Sequence, residues 1–170
     1  TDEDLNNSGS DVPEVWAPLH AWRALGQLQA EEAAAPLVRL FEQFEDDDWL
    51  PTELPSVFSM NGAGAIPALA DFLADRKVGE SCRNSVPDCL ARIAEDHPGR
   101  QQECIGILVR QLERYGSNGP TLNAVLISSL IDLHAVDAIG PIRKAFSAER
   151  VDLTVAGDVE DVEIELGLRT

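Results

Sequence analysis

The sequence predicts an all-α fold, arranged as an α-solenoid of about four helical hairpins with a short C-terminal cap. Three observations predict it. Ala and Leu, both strong helix formers, make up 40 of the 170 residues. Apolar residues recur at intervals of three or four over most of the chain, which is the period of a helix with one buried face. One apolar pattern also occurs four times, and repeated units of this size stack so that neighbours share a core.

The composition predicts a disordered leader followed by one domain. Residues 1–12 are polar and show no apolar period, so we expect them to be disordered. We expect residues 13–170 to form a single solenoid domain. The chain as a whole is 44% apolar and is long enough to bury a continuous core. No run of 18 uncharged apolar residues is present, so we expect no membrane-spanning helix.

The repeat consists of two apolar residues three apart, then a small residue, then an anchor position three residues further on. All spacings agree between the first and fourth copies. The segment between the apolar pair and the anchor is one residue shorter in the second copy and six residues longer in the third. Proline costs little in the first turn of a helix, so each anchor predicts the start of a second helix. The anchors are Pro36, Pro67, Ile107 and Pro141. The predicted hairpins span 17–47, 50–77, 82–115 and 121–149, with the longest turn over 95–103.

An apolar ridge accompanies each anchor. The positions one and five residues past it share a helical face, so we expect both to be buried. These positions are Leu37, Phe41, Ala68, Phe72, Leu108, Leu112, Ile142 and Phe146.

The tail after Arg150 fits two patterns. Alternate residues from 162 to 168 are apolar, which is typical of a strand. Val159, Val162 and Leu166 also lie on one face of a helix, with Asp158 as its N-cap. We favour the helix, because the end of a stack needs a polar outer face and this tail is acidic.

The full pattern, L-x-x-L followed by A-x-x-P-L-x-x-L-F at intervals of 31–40 residues, resembles HEAT repeats. It is most similar to the short bacterial repeats called phycobilisome-lyase HEAT-like, over about residues 17–149. The resemblance implies that the second helix of each hairpin lines the concave side of the solenoid. It also implies two enzyme alternatives. One is a lyase or isomerase subunit that handles a linear tetrapyrrole on a light-harvesting protein, and the other is a DNA glycosylase with a strongly cationic groove.

Basic residues recur three positions past the anchors, with Ala70 in the second copy. That position lies about 200° around the helix from the core-facing position one past the anchor, so it faces away from the core. Arg114 and Arg143 lie close to these positions and complete a predicted partner-binding set. We call this set the basic surface: Arg39, Arg110, Arg114, Arg143 and Lys144. We expect it to bind an extended or acidic protein. The alternative is that these cations pair with acids of their own helices, such as Glu42 and Glu113.

The charge excludes other partners. The net charge is −17, of which residues 1–48 carry −10 and residues 149–170 carry −5. Nucleic acids and anionic membranes repel such a chain, so we expect neither as a partner.

Catalytic and cofactor motifs are absent from the sequence. It contains no G-x-S-x-G, no H-E-x-x-H and no phosphate-binding glycine loop. The glycines of residues 61–64 predict a tight turn. The four acids and the tryptophan of residues 45–49 predict a solvated turn, with a bound cation or a basic partner as the alternative. His20 is expected to be partly buried between two tryptophans.

The number and spacing of the cysteines predict a cytoplasmic protein. Cys82, Cys89 and Cys104 are odd in number and form no C-x-x-C, which predicts reduced, buried thiols. We therefore predict a cytoplasmic, bacterial-type interaction scaffold with no catalytic residue, no metal and no cofactor.

Overall fold

A computed structural model describes residues 17–44 and 50–169 of the chain. Every regular element in these two ranges is helical and neither range contains a strand, so the all-α prediction is confirmed. The α-helices are α1 (Ala17–Gln27), α2 (Glu31–Val38), α3 (Leu40–Gln43), α4 (Leu50–Asn61), α5 (Ile66–Ala74), α6 (Glu80–Asn84), α7 (Val86–Asp96), α8 (Gln101–Leu112), α9 (Pro120–Asp132), α10 (Ile139–Ser147), α11 (Leu153–Ala156) and α12 (Val159–Glu165). Within the same ranges, 3-10 turns cover Gly62–Ala65, Pro98–Arg100 and Val136–Ala138.

The helices pack in two rows. The first-helix row consists of α1, α4, α7, α9 and α11, and each member contacts the next. The second-helix row consists of α2, α5, α8, α10 and α12, with the same order of contacts. The rows meet through α5 with α7, α7 with α8, and α8 with α9. The pairs α4–α5, α7–α8 and α9–α10 occupy most of the residue ranges predicted for the second, third and fourth hairpins, and α7 contacts α8 directly.

One hydrophobic core joins both rows, from Leu19 in α1 to Leu166 after α12. Phe58 and Phe72 are among its largest fully buried side chains. The predicted ridge is buried at Leu37, Phe41, Phe72, Leu108, Leu112 and Ile142, and half-buried at Ala68 and Phe146. The repeat pattern therefore identified the core-facing side of the second helices.

The anchors occupy different positions along their helices. Pro67 and Pro141 are in the first turns of α5 and α10, as predicted. Pro36 is the sixth residue of α2, because two glutamates favour an earlier start for that helix. Ile107 is the seventh residue of α8, which starts directly after a 3-10 turn.

The tail is helical, so the helix prediction is confirmed and the strand alternative is wrong. At the start of α12 the Asp158 carboxylate accepts the backbone N–H groups of Glu160 and Asp161. The Asp161 carboxylate in turn accepts the Asp158 N–H. This reciprocal capping box fixes the first turn. Because α11 contacts α9 and α12 contacts α10, the tail continues both rows.

Two predicted turns have different outcomes. The turn predicted over 95–103 is present but shorter than expected, because α7 continues to Asp96 and α8 begins at Gln101, which leaves residues 97–100 as the connection. The tight turn at 61–64 is confirmed: Gly62 has φ +70°, a left-handed conformation that favours glycine. The predicted leader at 1–12 and the acidic run at 45–49 lie outside the described residues.

The helical run 50–74 has the length and apolar composition of a membrane span. It comprises α4, a 3-10 turn and α5, and its uncharged part is limited by Glu53 and Asp71. Of its most apolar window, 56% is buried inside the fold, as in the core of a helical domain.

Candidate protein-binding surface

All five residues of the basic surface are exposed, and they lie in or next to the second-helix row. Arg110 is in α8 and Arg114 is two residues past its end, while Arg143 and Lys144 are in α10. Because α8 contacts α10, these four cations are on neighbouring helices. Arg39 follows α2, which is separated from α8 by α5. Four of the predicted residues therefore lie in or next to two contacting helices, and Arg39 lies further along the row.

Arg39 is occupied by contacts within its own hairpin and the next. Its guanidinium lies 2.7 Å from the Glu42 carboxylate, and this hydrogen bond raises the pKa of Arg39. The same guanidinium lies 5.2 Å from the ring centroid of Phe72, a cation–π distance. Since Phe72 is buried in the core, Arg39 covers the edge of that core in addition to presenting charge.

Arg143 forms an ion pair with an acid of the C-terminal tail. Its Nη2 lies 2.7 Å from Oε1 of Glu163, and its Nε donates to the same oxygen at 2.8 Å. Glu163 belongs to α12, twenty residues further along the chain, so the pair joins α10 to α12. The Glu163 carboxylate therefore offsets part of the positive charge of Arg143.

Arg110 and Arg114 line a small groove between α5 and α8. Its cavity is about 80 Å³, room for two or three water molecules or the end of one acidic side chain. Ala70 contributes the facing wall, and its short side chain leaves space for the two arginines. Within the described ranges neither arginine forms an ion pair, so both guanidinium groups are free to bind an anion.

Two glycines flank the cations, and sequence reasoning missed them. Gly106 precedes Arg110 by one helical turn, and a Cβ there would lie 3.3 Å from the Arg110 guanidinium. Gly140 stands in the same relation to Lys144, with open space where a Cβ would be. Both glycines are one position before their anchors, so the repeat alignment itself contains this signal. They leave backbone surface accessible beside each cation.

The own-helix pairing alternative is confirmed for Arg39 with Glu42. It fails for Arg110 and Arg114 with Glu113, because no such pair forms among the residues described. Lys144 is likewise without an ion pair in this part of the chain. The cations of the basic surface that retain free charge are therefore Arg110, Arg114 and Lys144.

Ser59, Asp96 and His97 meet where α4 packs against the end of α7, although the sequence separates them widely. The Ser59 hydroxyl donates to the Asp96 carboxylate at 2.5 Å, and this bond is the main cause of the lowered pKa of Asp96. Nε2 of His97 lies 2.7 Å from the Ser59 carbonyl oxygen. The hydroxyl points to the acid and not to the imidazole, so the arrangement lacks the nucleophile–base contact of a hydrolase. Its contacts instead join two helices of the first-helix row.

The remaining reactive side chains have structural surroundings. The three cysteines are buried, as predicted, and burial raises the pKa of Cys104 to about 11. His20 is exposed, so the prediction that it is partly buried is wrong. Within residues 17–44 and 50–169, no group of three His, Cys, Asp or Glu side chains could hold a metal ion.

Comparison of the chain with protein-family models, with curated proteins and with solved structures finds no match. The HEAT-like assignment therefore stays a prediction from the repeat.

Proposed function

We propose that this protein is a cytoplasmic interaction scaffold, an α-solenoid of HEAT-like hairpins that has no catalytic activity of its own. The second-helix row forms its concave side and binds an extended acidic segment of a partner protein. One observation carries the proposal: Arg110 and Arg114 stand at a groove with no acid of the described chain to neutralise them.

The spacing of the free cations suits an extended ligand. Packed helices lie about 8–10 Å apart, and a chain in the extended polyproline II conformation advances about 3.1 Å per residue, with side chains three residues apart on the same face. Cations on adjacent helices such as α8 and α10 therefore match acidic side chains about three residues apart. Each arginine can bind a carboxylate through two parallel hydrogen bonds, which fixes the partner's orientation as well as attracting it.

The overall charge of −17 opposes an acidic partner, so the local field has to overcome it. Salt screens exposed charges beyond about 8 Å at physiological ionic strength. Arg110, Arg114 and Lys144 form no ion pair within the described ranges, so they act on a bound carboxylate at contact distance, where screening is weakest. We expect binding to be weak per contact and to depend on several contacts together.

The proposal is tested with a labelled, extended peptide that carries Glu at every third position, compared with the same peptide carrying Gln. Fluorescence anisotropy measures both affinities. We expect the Glu peptide to bind at least about tenfold more tightly and to lose affinity as salt is added. Equal affinity of the two peptides, or no binding of either, would contradict an acid-binding surface.

A further inference from the structure

A second groove lies at the C-terminal end of the described chain, apart from the basic surface. α9 forms one wall, and α11 and α12 form the other, around a cavity of about 480 Å³. Its apolar lining includes Ile131, Val155 and Ile164. The volume falls within the range of pockets that hold a ligand or several side chains, roughly 300–1,000 Å³.

Apolar side chains near this groove are exposed to solvent. In the described ranges seven large apolar side chains are exposed, and four of them lie between residues 153 and 168. Val155 is 46% exposed and Ile164 is 51% exposed, and both line the cavity. Exposed apolar side chains grouped at a groove are typical of a protein-interaction site.

The polar lining of the groove is acidic. Asp132, Asp161 and Glu165 line the cavity, and no Lys, Arg or His does. Within the described ranges Asp132 and Glu165 form no ion pair. The Asp161 carboxylate accepts a hydrogen bond from the backbone N–H of Asp158 and, in the same ranges, has no ion-pair partner. Repulsion from Asp132 also reaches Asp88 in α7, whose pKa is raised chiefly by burial and then by this repulsion.

We infer that this acidic groove binds a basic amphipathic helix of a partner protein. Charge complementarity selects that occupant, because the three carboxylates attract Lys or Arg while Ile131, Val155 and Ile164 take up apolar side chains. A helix presents both kinds of residue together, since positions i, i+3 and i+4 lie about 5–6 Å apart on its surface. The groove differs from the basic surface in place and in sign of charge. The chain would thus bind two different partners at once.

The test uses the full chain and a labelled helical peptide of about four turns, built from Leu on one face and Lys on the other. Anisotropy gives its affinity at low salt, and the same peptide with Glu in place of Lys serves as the reversed-charge probe. We expect Ile164→Ala to weaken binding of the Lys peptide about fivefold. We expect Asp132→Asn/Glu165→Gln to weaken it about tenfold. The Glu peptide should not bind.

Matched controls separate the groove from general attraction to an acidic protein. Leu28→Ala removes an exposed apolar side chain elsewhere, and Asp71→Asn/Glu113→Gln removes two exposed carboxylates outside the groove. Both controls should bind within about twofold of the wild type, and circular dichroism should show unchanged helicity for every variant. Equal weakening by the second control would overturn the inference, as would full affinity of Ile164→Ala. Self-association of the wild type in sedimentation, lost in Ile164→Ala, would show that a second copy is the occupant and would also overturn it.

Discussion

The guanidinium of Arg143 lies 2.7 Å from the carboxylate of Glu163, so one member of the basic surface serves to hold the tail. Its neighbour Lys144 forms no ion pair within the described ranges. We therefore expect the two adjacent cations of α10 to have different roles, Arg143 in stability and Lys144 in binding. Alanine substitutions can separate the two roles.

Arg143→Ala should lower the free energy of unfolding by at most about 1 kcal/mol, because the exposed pair is screened by solvent. It should leave affinity for the acidic peptide within about twofold of the wild type. Lys144→Ala should do the opposite, with unchanged stability and an affinity about fivefold weaker. Urea denaturation and peptide anisotropy measure the two quantities. Equal loss of affinity in both variants would show that the ion pair does not neutralise Arg143.

The Ser59–Asp96 hydrogen bond predicts a pH dependence of stability. It lowers the pKa of Asp96 in the folded chain, so its contribution is present above the ordinary aspartate pKa of about 3.9 and is lost as pH falls through the lowered value. Ser59→Ala should reduce the free energy of unfolding by at most about 1 kcal/mol at neutral pH. The difference from the wild type should vanish in acid. Urea denaturation at several pH values measures this difference in the free energy of unfolding, with Ser56→Ala on the same helix as the control.

A buried amide network predicts a larger effect. Asn123 is fully buried, and its Nδ2 donates to the carbonyl oxygens of Tyr115 at 3.1 Å and Arg150 at 2.7 Å. Its Oδ1 accepts from Nδ2 of Asn118 at 2.8 Å. Asn123→Ala removes the donor to the Tyr115 and Arg150 carbonyl oxygens and one of the two acceptors of Asn118 Nδ2, which keeps its bond to the Gln111 carbonyl oxygen. The free energy of unfolding should therefore fall by about 3 kcal/mol. Thr121→Ala, on the same helix, should cost about 1 kcal/mol or less, and an equal cost of the two would contradict the network.

Close packing of α1 against α4 predicts the effect of a single methyl group. A Cβ on Gly26 would lie 2.7 Å from the Val57 carbonyl oxygen, so the two helices would have to move apart. Gly26→Ala should therefore destabilise the chain by about 1–3 kcal/mol. Gly140→Ala meets open space in α10 and should stabilise by up to about 1 kcal/mol. Thermal denaturation measures the stability of both variants. Stabilisation by Gly26→Ala as well as by Gly140→Ala would contradict the close contact between α1 and α4.

The core of the fold was predictable because its signal is local. Leu108 and Leu112 lie four residues apart on one helix, and the same spacing recurs in every copy, so the buried face could be identified without any long-range information. The capping residue Asp158 likewise signalled the helical tail three residues before Asp161 completes its capping box. The strand pattern of the same tail was misleading, because a short apolar segment fits both periods.

The partners of the cations were only partly predictable, because some of them are distant in sequence. The pairing of Arg39 with Glu42 lies within one turn and was foreseen as an alternative. The pairing of Arg143 with Glu163 depends on how the tail packs, which spacing alone does not give. The groove at Arg110 depends on Ala70 from another hairpin, a contact that exists only after stacking.

We propose that the free cations of α8 and α10 bind an acidic partner. Binding is measured most directly by the dissociation constant of the Glu-bearing extended peptide for the wild type and for two double charge reversals. Arg110→Glu/Lys144→Glu should weaken binding at least about tenfold. Arg76→Glu/Lys77→Glu makes the same change in net charge at exposed residues outside the groove, and should stay within about threefold of the wild type. Unchanged binding by the first variant, or equal loss in both, would contradict the claim.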